Sequence, residues 1–470
     1  MGYMHTAVVW FRRDFRLHDH TALAQALHWA KERQGKLLFF FHFDPYFSNE
    51  RTYHHEYFFQ TVEQFRQTLR QQYGIHVHIL HGDVDDVFVR LIRCTRMNAI
   101  FFNKDEVGRG KERDDYVCAL LEKHGVDVYA YDDAHMHGAF DVLKADGTPY
   151  KVYTPYYRAW RKRPKRFPLS IDMDLLSAHM LHITPLSEDD ERAFTHWLSK
   201  CTKRWERTSE QDALIALQHF IETALPHYDK KRDIPSVAGT SRLSPHLKTG
   251  TISIRTIFHA VVQQFGNGYD EAVETYIKEL AWRDFYHMIY AHFPFTKTEA
   301  FIEKYRHLPW SRDDERFQAW KEGKTGFPIV DAGMRQLKEE GWMHNRVRMI
   351  VASFLTKDYL IDWRMGEQYF QHMLIDYDEA SNIGGWQWAA SVGTDAVPYF
   401  RVFNPIEQSK KFDPDGMYIR TYVPELAFFP SPHIHEPWKS NFNINYPAPT
   451  VDHRLQRQRA IALFQMSELV

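Results

Sequence analysis

Five short apolar runs alternate with amphipathic segments over the first 131 residues, and this alternation restricts the possible folds more than any other feature. The apolar runs, which predict buried strands, are residues 7–11, 37–43, 77–80, 99–102 and 126–131. The segments with helical periodicity are residues 21–33, 53–72, 85–96 and 111–124. Strands that alternate with helices pair in parallel, so the sequence predicts an N-terminal doubly wound α/β domain with a parallel sheet.

Helical periodicity dominates the chain after residue 210, and few strand signals remain there. The helical segments are residues 212–225, 252–265, 270–293, 331–340, 347–360 and 367–375. Prolines interrupt the preceding stretch, which predicts a connector that runs over the surface. The sequence therefore predicts an α/β domain at 1–131, a connector at 132–209 and an all-α domain at 210–470.

Bulk properties exclude some classes of protein without singling out a function. The formal net charge of −2 neither favours nor excludes nucleic acid, so any DNA contact requires a local basic face. Three widely spaced cysteines without a CxxC pair argue against a disulfide scaffold, and no cluster has metal-ligand spacing, so no metal site is predicted. No apolar run is long enough for a signal peptide or a membrane span, which predicts a soluble cytoplasmic protein.

Residues 239–244 combine three hydroxyl groups and one guanidinium between two helical segments. Hydroxyls and backbone N–H groups at a helix N-terminus suit a pyrophosphate. The simpler interpretation is a helix N-cap beside a surface arginine, which is a common arrangement. The segment alone leaves both interpretations open.

Glu279, Trp282 and Arg283 fall at positions i, i+3 and i+4, so they share one face of a predicted helix. A carboxylate and a broad ring on one face could hold a flat base by hydrogen bonding and stacking. The alternative is an ordinary ion pair beside a core tryptophan.

Asn345, Arg348 and Met349 also share a helix face, where an amide, a fixed cation and a polarisable group suit a polar planar ligand. A solvated basic helix start is the alternative. The most informative stretch, residues 376–391, carries acidic groups, an amide and two tryptophans around the pair Gly384-Gly385. A glycine pair permits close backbone approach or positive φ. A flavin needs polar partners for its N5, its N3–H and its carbonyls, and side chains of Asp, Asn and Arg supply them.

Residues 228–412 closely resemble class I DNA photolyases of the photolyase/cryptochrome family, and residues 9–19 match the opening motif of that family. The strings at 322–332 and 384–391 are too long to match by chance. The resemblance implies that reduced, anionic FAD splits cyclobutane pyrimidine dimers in damaged DNA by light-driven electron transfer, so that the protein is a carbon–carbon lyase. It also implies a monomer.

Three rivals are a cryptochrome-type blue-light photoreceptor on the same fold, a repair enzyme for (6-4) photoproducts, and a flavoprotein that binds DNA without repairing it. A cryptochrome is expected to alter the lesion pocket, whereas this chain keeps Trp282, Trp388, Met349 and Asn382. Repair of (6-4) photoproducts uses histidines in that pocket, and residues 344–349 offer one. These residues favour dimer repair.

The resemblance implies roles for individual residues. The residues expected to contact FAD are Tyr228, Thr240, Ser241, Arg242, Leu243, Ser244, Glu279, Arg283, Asn345, Arg348, Asp376, Asp378 and Asn382. The residues expected to hold the flipped lesion and its phosphates are Arg232, Trp282, Asn345, Arg346, Met349, Trp388, Arg401 and Lys411. The residues expected to take part in the chemistry are Glu279, Asn382, Trp310, Trp363 and Trp386.

The residues expected to take part in the chemistry have different roles. Glu279 is expected to hydrogen-bond the base edge of the dimer, and Asn382 to face N5 of the flavin. Trp386, Trp363 and Trp310 are expected to carry electrons from the surface to photoexcited flavin. The basic run at residues 158–166 either adds nonspecific attraction for DNA or is a solvated linker.

The resemblance leaves two possibilities for a second, light-harvesting chromophore: methenyltetrahydrofolate or none. Folate-binding relatives usually carry a glutamate that aligns with Gly110 of this chain, where it is missing. Glu106 or Glu112 could substitute, and Lys297 matches a position near folate in such relatives.

Overall fold

The computed structural model describes residues 5–183, 186–265 and 270–466. Their contacts divide the chain into two compact units. The first unit comprises Met1–Pro149, Tyr157–Glu222 and Ser241–His292. The second comprises Tyr150–Tyr156, Thr223–Thr240 and Phe293–Val470. The boundaries predicted at residues 131 and 209 remain predictions.

The first unit contains a five-stranded parallel sheet in the order β3-β2-β1-β4-β5, which confirms the predicted fold of the N-terminal region. The strands are β1 (Thr6–Phe11), β2 (Lys36–Phe43), β3 (Val77–His81), β4 (Ala99–Asn103) and β5 (Asp127–Tyr131). Every residue of the central strand β1 is buried, as its continuous apolar run requires of a strand covered on both faces. Val9 and Phe11 belong to one apolar cluster, and Val8 and Trp10 to another.

Helices follow the first four strands and cover the sheet. They are α1 (Thr21–Arg33), α2 (Pro45–Ser48), α3 (Tyr53–Tyr73), α4 (Val84–Thr95) and α5 (Gly108–Lys123). The predicted connector also contains helices, namely α6 (Tyr153–Lys162), α7 (Met173–His179) and α8 (Glu188–Ser199). Pro155 lies in the first turn of α6, where a helix tolerates proline. The prolines therefore did not prevent helix formation, and the expectation of an irregular connector is corrected.

The remainder of the described chain is helical, and no strand is assigned between residues 132 and 466 within the described ranges. The helices before residue 293 are α9 (Glu210–Thr223), α10 (Tyr228–Lys231), α11 (Ser244–Thr249), α12 (Ile254–Phe265) and α13 (Glu271–His292). Those after it are α14 (Asp314–Glu322), α15 (Pro328–Glu340), α16 (Asn345–Ser353), α17 (Trp363–Met373), α18 (Glu379–Ala389), α19 (Pro405–Phe412), α20 (Met417–Tyr422) and α21 (His453–Met466). None of the described helices is long and apolar enough to cross a bilayer.

A buried network of ion pairs connects the sheet of the first unit to α12. Arg255 donates from Nε to Asp19 at 2.8 Å and from Nη2 to Asp133 at 2.6 Å. Arg16 pairs with the other oxygen of Asp133 and donates from Nη1 to the carbonyl of Gly250 at 3.0 Å. Burial would raise the pKa of Asp133, but the two guanidinium groups hold it well below its usual value. The opening motif therefore supplies charges that the fold needs.

Candidate functional site

Helix α16 presents the polar face that its spacing predicts. The amide Nδ2 of Asn345 lies 3.9 Å from the sulfur of Met349, so these two side chains do share a face. Asn345 is exposed at the start of the helix, and Met349 is half-buried. The structure therefore brings together two of the residues expected to line the lesion pocket.

Arg348 and Asp376 form an ion pair in the second unit. Nη2 of Arg348 donates to Oδ2 of Asp376 at 2.8 Å, and its Nε donates to the carbonyl of Met343 at 2.7 Å. Oδ1 of Asp376 is buried and has no hydrogen-bond partner among the described residues. A buried acceptor without a donor is costly, so a ligand that brings an N–H or O–H group would satisfy it. This arrangement fits the polar edge of a flavin.

Asn382 lies in α18, and its amide is held by a buried glutamate of α17. Nδ2 of Asn382 donates to the backbone carbonyl of Glu367 at 3.1 Å and to its Oε1 at 3.0 Å. Because the amide nitrogen is bound to Glu367, the carbonyl oxygen of Asn382 points elsewhere. Burial, helped by nearby Glu379, raises the pKa of Glu367 to about 6. Glu367 is therefore a positioning residue that no sequence motif revealed.

We expect Glu367→Gln to remove part of the pH dependence of stability. The folded chain keeps a proton on Glu367 up to about pH 6, whereas the unfolded chain releases it near pH 4.5. The fold binds more protons in this window, so the wild-type free energy of unfolding falls as pH rises through it. The fall is at most about 2 kcal/mol. Urea unfolding between pH 4.5 and 7 measures it.

The Arg335 guanidinium helps to hold the pKa of Glu425 below its usual 4.5, so the contribution of Glu425 to stability changes mainly below pH 4.5. Glu425→Gln is therefore a control that should leave the slope between pH 4.5 and 7 as in wild type. Glutamine at position 367 keeps a carbonyl acceptor for Asn382, which limits the structural change. Parallel pH curves for wild type and Glu367→Gln would show that Glu367 has an ordinary pKa.

The glycine pair lies inside α18, and neither Gly384 nor Gly385 is among the described residues with positive φ. The interpretation of the pair as a site of positive φ is therefore wrong, because both residues are helical. A Cβ on Gly385 would meet no atom within 4 Å, so close approach remains possible there. Asp378 caps the helix, since its Oδ1 accepts the N–H of Ser381 at 3.0 Å.

The three tryptophans expected to carry electrons all belong to the apolar core of the second unit or pack against it. Trp386 and Trp363 are buried at 2% and 1% exposure, whereas Trp310 is half-buried. The Trp386 ring packs 5.0 Å from Phe370 and 6.0 Å from Trp320, a third buried indole that the sequence analysis did not identify. Trp310 is the most exposed of the three, as the surface end of a path requires, and the order of transfer stays a prediction.

Gly366 on α17 allows the Trp386 ring to pack against that helix. A Cβ at Gly366 would lie 2.1 Å from the Trp386 ring, which is far inside contact distance. We therefore expect Gly366→Ala to displace the indole and to lower the free energy of unfolding by about 1–3 kcal/mol. Gly385→Ala is the matched control, because its Cβ meets nothing and alanine favours a helix. Thermal unfolding compares the two variants. Equal midpoints would contradict tight packing of the Trp386 ring against Gly366.

Helix α13 in the first unit carries Glu279, Trp282 and Arg283. The Trp282 ring lies 5.3 Å from that of Tyr286 and is half-buried. Nη1 of Arg283 donates to the carbonyl of Ala134 at 2.6 Å. Arg283 thus supports the loop after β5, while its predicted contact with FAD stays a prediction, as does the role of Glu279.

The hydroxyl-rich segment divides between the units, with Thr240 in the second and residues 241–244 in the first. Ser241 Oγ accepts from the hydroxyl of Tyr276 at 3.1 Å. Leu243 occupies the N-cap of α11 and gives no side-chain cap, so the common N-cap interpretation is not realised. Arg242 has a φ of 50°, a left-handed conformation that is unusual for arginine and concentrates at ligand-contacting turns.

Three of the predicted phosphate-binding residues lie together in the second unit. Nη2 of Arg346 is 2.9 Å from Asp233, and Nε of Arg232 is 3.9 Å from the same carboxylate. The Arg346 guanidinium lies 4.4 Å from the centre of the Phe412 ring, and Lys411 Nζ lies 5.1 Å from it. The structure therefore groups Arg232, Arg346 and Lys411 around one carboxylate and one ring.

The other predicted DNA residues of the second unit lie on or near its surface. Arg401 is exposed, and half-buried Trp388 packs edge-on against Phe403 at 6.3 Å. Tyr228, which was predicted to contact FAD, is buried in the same unit, and the Arg232 guanidinium lies 5.5 Å from its ring. A stacking role for Trp388 stays a prediction.

Part of the basic run at residues 158–166 is used inside the first unit. Arg161 lies 3.4 Å from Glu274, and the Lys165 ammonium lies 4.0 Å from the Trp160 ring. Burial lowers the pKa of Lys165 to about 8. These two cations therefore have structural partners within the unit.

Two of the positions weighed for folate, Gly110 and Glu106, have clear local roles. A Cβ at Gly110 would lie 2.4 Å from Oδ2 of Asp105, which also pairs with Arg12 at 2.9 Å. A larger side chain at position 110 would therefore disturb a buried ion pair. The Glu106 carboxylate is 3.0 Å from Nε2 of His287. The choice between folate and no second chromophore remains open.

Comparison with protein families gives two matches. Residues 276–466 match the family described as the FAD binding domain of DNA photolyase, and residues 7–172 match the family described as DNA photolyase. The first range includes Arg348, Asp376 and Asn382. The chain is also 49% identical over 468 residues to a deoxyribodipyrimidine photo-lyase of Alkalihalophilus pseudofirmus, with 97% of both chains covered.

Two solved structures are similar over nearly the whole chain. One is a bacterial class III photolyase from Agrobacterium tumefaciens, with a TM-score of 0.91, 33% identity and coverage of 100% of this chain and 99% of that chain. The other is an archaeal photolyase from Sulfolobus tokodaii with two FAD molecules, with a TM-score of 0.83, 29% identity and coverage of 98% and 100%. Both similarities span the two units described above.

Proposed function

The chain belongs to the DNA photolyase family, and from this premise we propose that it repairs cyclobutane pyrimidine dimers in DNA with light. The observation that carries the proposal is the buried Oδ1 of Asp376. It has no donor within the part of the chain that the structure describes, and it lies beside Arg348 in the region that matches the FAD-binding domain. The relative that is 49% identical over nearly the whole chain is named a deoxyribodipyrimidine photo-lyase, which favours repair over cryptochrome-type signalling.

The reaction we propose breaks two carbon–carbon bonds of the cyclobutane ring and restores two carbon–carbon double bonds, without net oxidation. When bound, reduced FAD supplies the light-driven electron for this ring opening. The residues of the chain bind, orient and exclude water. Asp376 and Arg348 would hold the polar edge of the flavin, and Asn382, oriented by Glu367, would contact its ring.

The DNA side of the reaction rests on a second group of residues. Arg232, Arg346 and Lys411 would hold phosphates around the lesion, since cations that neutralise phosphates dominate affinity for DNA. Trp282 and Trp388 would stack on a flipped-out dimer, and flipping a damaged base costs only about a few kcal/mol. Damaged DNA is therefore the proposed partner of a monomeric enzyme.

Illumination of the reduced protein with a UV-irradiated thymine oligonucleotide tests the proposal. We expect the dimers to disappear in the light and to persist in the dark, as measured by chromatography of the digested oligonucleotide. An absorption spectrum of the same sample confirms bound FAD. A flavin-loaded, reduced sample that leaves dimers intact under light would contradict repair and favour a photoreceptor.

A further inference from the structure

Three potential metal ligands that lie far apart in the sequence converge in the first unit. They are Glu106 in the loop after β4, His135 in the loop after β5, and His287 on α13. One ligand atom from each lies within 4.8 Å of the other two. The two imidazole rings stack with centroids 3.7 Å apart, and Nε2 of His287 lies 3.0 Å from Oε2 of Glu106.

His135 offers a buried ring nitrogen to which a metal ion could bind. It is only 7% exposed, and its Nε2 is buried without a hydrogen-bond partner among the described residues. A small pocket lined by all three cluster residues and Gly138 adjoins the rings. A buried nitrogen without a partner is costly unless something binds it.

We propose that Glu106, His135 and His287 bind a zinc ion. Two imidazole nitrogens and one carboxylate oxygen are a common three-residue zinc set, with water in the fourth position. Ligand atoms of a tetrahedral zinc ion lie about 3.4 Å apart, so the cluster needs to close by about 1 Å, with the stacked rings tilting toward the ion. On binding, the hydrogen bond between Nε2 of His287 and Glu106 is replaced by bonds to the ion, so Nε2 carries no proton in the bound state.

The scaffold around the cluster is already fixed by other contacts. The Asp284 carboxylate accepts the N–H groups of Met136 at 3.3 Å and His137 at 3.1 Å, and the indole N–H of Trp160 at 2.8 Å. Both oxygens of Glu106 also accept from the N–H of Ala139, at 3.1 and 3.2 Å. The loop after β5 is thus held against α13 without metal, and preorganised ligands favour binding. Zinc would cross-link three segments of this unit.

Zinc retention by the full-length, FAD-loaded protein without an affinity tag tests the proposal. The protein is stripped with EDTA, incubated with zinc sulfate and desalted, and zinc is then measured by mass spectrometry. We expect about one zinc per chain in wild type and loss of that zinc in His135→Ala and His287→Ala. His137→Ala is the matched control, because its ring packs on Trp160 at 5.8 Å and lies outside the cluster.

A second variant keeps the test decisive if the alanine variants fold poorly. Glu106→Gln preserves a carbonyl acceptor for Ala139 but removes the charged ligand, and we expect at least a tenfold weaker zinc affinity. Zinc should also raise the thermal midpoint of wild type and of His137→Ala, but not of the three cluster variants. Failure of wild type to retain zinc, or equal retention by wild type and His135→Ala, would overturn the proposal.

Discussion

Trp386→Phe should abolish photoreduction of oxidised FAD and leave repair by chemically reduced protein close to the wild-type rate. Phenylalanine keeps an aromatic ring against Phe370 but cannot be oxidised as an indole can. Nε1 of Trp386 has no hydrogen-bond partner among the described residues, so removing this N–H costs little stability. The bleaching of the oxidised flavin band under blue light with a thiol donor measures photoreduction, and loss of dimers after dithionite treatment measures repair.

Trp438→Phe is the matched control for this prediction. Trp438 packs against the same core at 5.6 Å from Phe327, yet nothing assigns it to electron transfer. The flavin in Trp438→Phe should be photoreduced at the wild-type rate. Undiminished photoreduction by Trp386→Phe would show that electrons reach the flavin by another route, and loss of repair by the pre-reduced variant would place Trp386 in the repair step itself.

Asp376→Asn should weaken FAD binding by about 10- to 100-fold, because a hydrogen bond to a charged group contributes about 1.5–3 kcal/mol. The substitution removes the charge that pairs with Arg348 at 2.8 Å and can replace an acceptor by a donor. Equilibrium dialysis of FAD against the flavin-free protein measures the affinity, and the flavin content of the purified variant gives an independent value.

Glu425→Gln controls for the loss of an ion pair as such. Glu425 makes a two-pronged pair with Arg335 at 2.6 and 3.0 Å in the same unit, and it is not among the predicted flavin contacts. This variant should bind FAD as wild type does. If Asp376→Asn bound FAD with unchanged affinity, Asp376 would be a structural partner of Arg348 only.

The fold could be predicted largely from the periodicity of apolar residues. Helix α1 was predicted at its observed bounds, and all five strands within one residue, because strands read as apolar runs. The prediction that all five strands are buried is wrong for β5, an edge strand whose residues are half-buried or exposed. The pattern did not reveal that the helix expected at 347–360 becomes a π-helical turn at Phe354–Asp358. The spacing of apolar residues over one turn is too similar in an α-helix and a π-helix to distinguish their hydrogen-bond patterns.

The candidate site was predicted in part. Spacing on one helix identified pairs such as Asn345 and Met349, because residues four apart lie side by side. It could not identify Glu367, which lies on a different helix from Asn382. The cluster of Glu106, His135 and His287 was also missed, since its members come from two loops and a helix. Only tertiary packing brings such residues together, so no local pattern records them.

The buried ion pairs of the first unit limit how this protein can be cut or recombined. A fragment that ends before Arg255 would leave Asp19 and Asp133 without one of their cations. Breaking a buried pair in this way costs about 3–5 kcal/mol, which is a large share of the roughly 5–15 kcal/mol that stabilises a typical domain. The sheet is therefore not a portable module, and a chimera that transplants it must carry α12 as well.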